Sequence, residues 1–279
     1  MAMVINTNMG SINSQRQLTK TSNSLATSME RLSSGLRVNS AKDDAAGLAI
    51  SNKMTSQIRG MTVAVRNAND GISLAQTAES AMGTMTDTMQ RMRDLAVQSS
   101  NDAAMTSTDK DKLQTEFKQL NDELTRIISN TEFNGKKIIN GSLSGGLAIQ
   151  VGANTAADNQ ISIDIANLSG TLVSVTAASI GGAASVLDVK ATIDSLDTAI
   201  ASIDTSRATL GAIQNRFTTT IGNLQSSIEN QSAARSRITD TDFATETANL
   251  SRNQILQQAG TAMLAQANQS GQGVLSLLR

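Results

Sequence analysis

The chain has no Trp, Tyr, His, Cys or Pro, and its aromatic residues are limited to Phe117, Phe133, Phe217 and Phe243. A rounded hydrophobic core normally draws much of its buried area from aromatic rings. The apolar residues here are mostly Ala, Leu, Ile, Val and Met, which suit narrow seams between long helices. Without His or Cys there is no thiol nucleophile, no zinc site of the usual ligand types and no Ser-His-Asp triad. Carboxylate or lysine chemistry remains formally open, but the reading is of a non-enzyme with no cofactor. Zero cysteines do not specify a redox compartment.

Charge of one sign is also lacking. There are 23 basic and 24 acidic residues, a formal net charge of −1. A nucleic-acid binder would carry a basic excess or patch, and neither is present. No apolar run approaches the roughly 20 residues that span a bilayer. The opening segment MAMVINTNMGSINSQR has no basic start and no sustained apolar stretch, so it does not read as a secretory signal peptide. A secreted protein of this sequence is expected to leave by another route.

What is present is helical periodicity. From Met54, apolar or small residues fall at Ile58, Met61, Val65, Ala68, Ile72, Ala75, Ala78, Met82, Met85, Met89, Met92 and Ala96. Steps of four and three alternate for about six heptads, the pattern of a coiled-coil seam. At ~1.5 Å per residue this predicts a helix of about 65 Å. A shorter seam runs through Leu113, Phe117, Leu120, Leu124 and Ile127. A third follows Ile193, Leu196, Ile200, Ile203, Leu210, Phe217, Ile221, Leu224 and Ile228, interrupted by Arg207 and Gln214. Polar insertions of that kind set register at some loss of stability. Three such helices joined by turns make an elongated bundle.

Between the second and third seams the texture changes. Asn134-Gly135 and Asn140-Gly141 are turn dipeptides. Leu147, Ile149 and Val151 alternate with other residues, as do Ile161, Ile163 and Ile165, which predicts strands. Gly181-Gly182 ends the region. The fold class is therefore mainly α, an elongated coiled-coil helical bundle with a small β-hairpin region at about 131–180.

Residues 1–15 and 253–278 contain no charged side chain, yet both are helical in pattern. Ile5, Met9 and Ile12 are followed by Leu18, Leu25, Met29, Leu32 and Leu36. At the other end lie Ile255, Leu256, Ala259, Met263, Leu264, Ala267, Val274, Leu275 and Leu278. Isolated surface helices keep charges on the wet face. An apolar stripe backed by Gln, Asn, Ser and Thr suits burial in an assembly, where charge would be costly to desolvate. Such ends are expected to order when neighbours are present.

The string SLATSMERLSSGLRVNSAKDDAAGLAIS (Ser24 to Ser51) resembles the N-terminal signature of bacterial flagellins. ILQQAGTAMLAQANQSGQGVLSLLR (Ile255 to Arg279) resembles the opposite end of the same family. QRMRDLAVQSSN (Gln90 to Asn101) and TEFNGKKI (Thr131 to Ile138) add further matches, so the similarity covers roughly 1–140 and 186–279. The resemblance implies that the N- and C-terminal helices pair as an inner filament core, 1–44 with 236–279. Residues 45–235 would form the surrounding bundle and hairpin. The core interface would include Ile5, Ile12, Leu18, Leu25, Leu32, Leu36, Ile255, Leu256, Met263, Leu264, Leu275 and Leu278. About 45 residues separate the conserved halves, so the large outer domains of many flagellins are absent. The family further implies type III export and homopolymerisation into a swimming filament outside the cell; its members are often O-glycosylated, for which the Ser/Thr-rich stretches near 100–108 and 169–176 are the place, with no single side chain singled out. Implied partners are a chaperone on the C-terminal region and the hook-associated junction and cap proteins; neither nucleic acid nor membrane insertion is implied.

Several local features have a plainer alternative. Asp43-Asp44 is read as a solvated turn or helix N-terminal charge rather than a metal pair. Met82, Met85, Met89 and Met92 are read as core rather than a soft-metal site or binding groove. Lys136-Lys137 is read as a wet turn, and the Ser/Thr-rich stretches near 100–108 and 169–176 as polar loops. Arg91, Leu95 and Glu116 match the patch by which Toll-like receptor 5 recognises flagellins of this type; the alternative is a surface ion pair of about 0–1 kcal/mol. The rival functions are a hook–filament junction protein and a membrane-active effector. The second needs interfacial helices rich in Lys and Arg, and residues 253–278 have none.

Overall fold

The computed structural model describes the backbone of residues 7–142 and 145–276, with side chains for all of these but 171 and 270–276. The helices are α1 (Met9–Ser34), α2 (Ala45–Ser99), α3 (Ser107–Asn130), α4 (Leu168–Thr171), α5 (Val173–Thr176), α6 (Val186–Thr239) and α7 (Phe243–Ser276). Four short strands, β1 (Glu132–Phe133), β2 (Lys136–Lys137), β3 (Leu147–Gln150) and β4 (Gln160–Ile163), lie between α3 and α4. The chain is mainly α, as the seams predict. It divides into two compact units, 1–57 with 229–279 and 58–228. Both divisions fall inside helices, α2 and α6, rather than near 44 and 235.

The second unit is built on the predicted seams. Met82, Met85, Met89 and Met92 are fully buried along α2, facing Phe117 and Leu124 of α3 and Leu196, Ile203, Leu210 and Phe217 of α6 in one apolar cluster. The methionines are thus core. Polar pairs fix how α6 runs against α2. Arg93 Nε donates to Asp197 at 2.6 Å, and Gln214 Nε2 donates to Glu79 Oε2 at 2.8 Å. As the α2 number falls the α6 number rises, so the two helices are antiparallel. Gln214, one of the two seam interruptions, therefore finds its partner across the seam. Arg207 instead pairs within its own helix, 3.6 Å from Asp204.

Helix ends carry their own caps. Thr106 Oγ1 accepts the Asp109 N–H while donating to the Asp109 carboxylate, and Ser185 and Asp188 repeat the exchange at the start of α6. These reciprocal bonds satisfy N–H groups the helix leaves unpaired. The hydroxyls of Thr106 and Ser185 also hold the Asp109 and Asp188 carboxyls below the usual carboxylate range.

The region 131–180 departs from a single hairpin. Asn134 and Gly135, at φ 49° and 74°, form the tight turn joining β1 to β2 in antiparallel register, Phe133 opposite Lys136. Both central residues of such a turn need positive φ, which Asn and Gly tolerate best. Lys136-Lys137, read as a wet turn, is instead the second strand, and Lys137 sits 3.0 Å from Glu132. β3 and β4 make a separate antiparallel pair, Leu147 opposite Ile163 and Ile149 opposite Ile161. The stretch 169–176, read as a polar loop, is mostly helical: Asn167 caps α4, and Leu168, Leu172 and Val175 are fully buried. Three buried apolar groups outweigh the Ser/Thr content.

The segment after α5 is held by polar side chains of α3. Asn121 Nδ2 donates to the Thr176 carbonyl, while Gln114 Oε1 accepts the Ile180 N–H at 2.6 Å and Asp111 Oδ1 the Gly182 N–H at 2.8 Å. At the end of α2, the Ser99 hydroxyl donates to the Ile180 carbonyl at 2.5 Å. Backbone groups that no strand or helix pairs are thereby satisfied.

Candidate assembly surface

The candidate site is the pair of helices α1 and α7 in the first unit. Asn8 starts α1, its side chain accepting the Ser11 N–H, and Gly35 ends it at φ 71° with its N–H on the Arg31 carbonyl. That left-handed C-terminal turn is one glycine adopts without steric cost. The next residues return to the α6–α7 corner. Thr241 N–H donates to the Gly35 carbonyl at 2.9 Å, and Arg37 N–H to the Thr239 carbonyl at 2.6 Å.

The register of the two helices follows from named contacts. Asn8 Nδ2 donates to the Ala267 carbonyl at 2.8 Å and Ser11 Oγ to Asn268 Oδ1 at 2.9 Å. Leu18 lies against Gly260, whose absent Cβ would stand 3.3 Å from Leu18 Cδ1. Arg31 Nη1 is 3.9 Å from Glu246 Oε2. The helices are antiparallel along the whole of α1. Glu246 is buried, and Arg31 Nε is buried without a hydrogen-bond partner, so this is a charged step in a seam whose other named contacts are between neutral groups. A buried charge without its partner is strongly destabilising.

The corner that feeds α7 is a chain of hydroxyl and amide bonds. Ser236 Oγ and Thr239 Oγ1 hold the Asp240 carboxyl below the usual carboxylate range. The Thr245 hydroxyl and the Thr245 and Ala244 N–H groups do the same for Asp242, which thereby caps α7. Asp43 and Asp44 are occupied in the same manner. Asp43 accepts from Asn39 and Ser40, and Asp44 accepts the Gly47 N–H at 2.8 Å in the first turn of α2.

The twelve apolar positions singled out above separate into groups. Leu18, Leu25, Leu32 and Leu264 are half-buried, whereas Ile12, Leu36, Ile255, Leu256 and Met263 are exposed. Ile5 and Leu278, and the side chain of Leu275, lie outside the described residues. Met263 and Ile255 are 64% and 65% exposed. With Leu18, Leu256, Ala259 and Gly260, Met263 lines an open groove of about 380 Å³. The sequence reading missed Ser11 and Ser28, both buried, and the Arg31–Glu246 pair. The signal was there in Ser11 and Leu18, seven residues apart on one helix face, but small polar residues rarely mark a seam.

In the second unit Arg91 Nε and Nη2 both donate to Glu116 Oε1, at 3.0 and 2.8 Å, and both side chains are about half exposed. Leu95 does not join them at the surface. It is 1% exposed and belongs to the core, because it continues the apolar side of α2.

Two family models match this chain. The bacterial flagellin N-terminal helical region aligns with residues 5–144 and the C-terminal helical region with 193–278. The flagellin of Halalkalibacterium halodurans is 44% identical over 277 residues, covering 99% of this chain and 100% of that one. The flagellin of Bacillus subtilis is 42% identical over 306 aligned positions, covering 99% and 100%. Among solved structures, the crystal structure of Bacillus cereus flagellin is 30% identical with a TM-score of 0.50, covering 61% of this chain and 94% of that one. With matches at both ends and over the full length, the chain belongs to the bacterial flagellins, structural and not enzymatic proteins that polymerise into the extracellular flagellar filament.

Proposed function

We propose that α1 and α7 form the inner layer of the filament, 1–44 with 236–279, and that residues 45–235 form the layer outside it. The observation that carries this is the set of apolar side chains left exposed on the helix pair, Ile12, Ile255, Leu256 and Met263, in a chain whose residues 253–278 carry no charge. Among the described residues nothing covers these side chains; the same helices of neighbouring copies would. A repeated contact that does not close on itself yields a helical polymer. Export proceeds through the flagellar type III route, with a chaperone shielding the apolar C-terminal region until the hook-associated junction or cap proteins receive the subunit. Among the described residues no helix is long and apolar enough to cross a membrane.

Amide hydrogen exchange tests the layer assignment. Residues 9–34 and 243–276 should gain protection on polymerisation far more than residues 82–96, which already sit in a closed core. Equal protection of the helix pair in monomer and polymer would remove the assignment.

We further propose that Arg91 and Glu116 present the surface recognised by Toll-like receptor 5, with Leu95 acting only by holding this part of α2 in place. Arginine is a frequent interface hot spot because its fork makes several hydrogen bonds at once. Arg91→Ala should weaken activation of receptor-bearing cells without changing the monomer's helical content. Full signalling at limiting dose by a folded variant would remove Arg91 from the patch.

A further inference from the structure

The sequence has two Asn-Gly pairs, and the structure places them in opposite chemical situations. Asn134 is exposed at the tip of the β1–β2 turn. Neither its side-chain amide nor the Gly135 N–H has a hydrogen-bond partner among the described residues, and nothing lies within 4 Å of a Cβ built on Gly135. Asn140, six positions on, is half-buried and its Oδ1 accepts the Ser142 N–H at 3.0 Å. The Asn167 side chain lies over Gly141, 2.5 to 2.8 Å from where a Cβ would stand.

We propose that Asn134 is a site of spontaneous deamidation in the folded protein and that Asn140 is protected from it. The Gly135 nitrogen, having given its proton to a base from solvent, attacks the Asn134 Cγ. The N–Cγ bond forms, the Cγ–Nδ2 bond breaks, and the amide nitrogen leaves as ammonia, giving a succinimide ring. Water then adds to either ring carbonyl and opens it to aspartate or to isoaspartate. Nothing is oxidised or reduced, and water is the sole co-reactant. Glycine favours the attack because no side chain screens its nitrogen. At Asn140 the same step requires the amide to leave Ser142 and the new ring to displace Asn167.

The products matter for the hairpin. Each adds one negative charge beside Lys136 and Lys137. Isoaspartate also routes the main chain through the side-chain carbon, lengthening a two-residue turn. The register that sets Phe133 opposite Lys136 does not survive that insertion, because hairpin register follows turn length. The α2–α3–α6 core contains neither residue and is left intact.

The test is a time course on the full-length folded monomer in warm, mildly alkaline buffer, read by peptide mass spectrometry with isoaspartate-specific methylation. A urea-unfolded sample runs in parallel. Asn134 should convert several-fold ahead of Asn140 in the folded chain, and the two should converge in the unfolded one. Asn167→Ala, checked for retained helicity, should raise the Asn140 rate and leave that of Asn134 unchanged. Conversion of Asn140 as fast as Asn134 in the folded protein, or an inert Asn134 beside a reactive unfolded control, would overturn the proposal.

Discussion

Deletion of residues 255–279 is expected to abolish filament growth while leaving the thermal transition of the 58–228 unit where it stands in the full chain. The truncation removes Ile255, Leu256, Met263 and Leu264, and with Leu256, Ala259, Gly260 and Met263 the α7 wall of the groove whose α1 wall includes Gln17, Leu18 and Thr21. None of these residues belongs to the buried cluster of the second unit. Each apolar side chain that a neighbouring copy would bury is worth about 1.5–3 kcal/mol, and the loss recurs at every subunit. A difference of about 1.4 kcal/mol is already tenfold in an association constant, so growth should stop rather than slow. Two measurements decide it: electron microscopy of the truncated protein under conditions that polymerise the full chain, and its melting curve. Filaments from the truncated chain would remove α7 from the assembly contact. Loss of the cooperative transition would mean that α7 supports the second unit's folding.

Phe217→Ala should destabilise the second unit by about 3–5 kcal/mol, the usual range for emptying a buried aromatic site. For a unit of this size that lowers the melting temperature on the order of 10 °C. Phe217 is fully buried, and its ring lies against the backbone of α2 at Gly71, where an added Cβ would come within 2.9 Å of ring atom Cζ. The seat is made by the absence of a side chain on one helix and the presence of a ring on the other. Gly71→Ala should therefore also destabilise, since the new carbon must displace the ring or part the helices. Denaturant unfolding with an unchanged slope would show that both substitutions lower stability without altering the surface exposed on unfolding. A loss below about 1 kcal/mol for Phe217→Ala would mean that this ring is not packed as described.

Much of the second unit is written in local pattern. A step of three or four residues repeated for six heptads commits α2 to a helix with one apolar side, whatever it meets, because 3.6 residues per turn returns that side to the same direction. The burial of Met82, Met85, Met89 and Met92 follows from that step alone. Asn134-Gly135 is similarly self-sufficient, since its turn geometry depends on two residues. The charge-free ends were also legible: a helix without charge must be covered by something, and that holds before any partner is known.

Other features were decided only when distant residues met. Arg91 and Leu95 are one turn apart on α2, yet one is at the surface and the other in the core. The heptad gives a direction, but the width of the covered side depends on how closely α3 and α6 pack. Lys136-Lys137 became a strand because Glu132-Phe133 pairs with it, and the short helices after Asn167 formed because Leu168, Leu172 and Val175 find apolar neighbours. The register of α1 on α7 has the same character. Asn8 with Ala267, Leu18 with Gly260 and Arg31 with Glu246 are more than 200 positions apart in sequence. Periodicity tells each helix which side to bury and says nothing about the height at which two helices meet; that is set by where small residues allow close approach and where a buried charge finds its counter-charge.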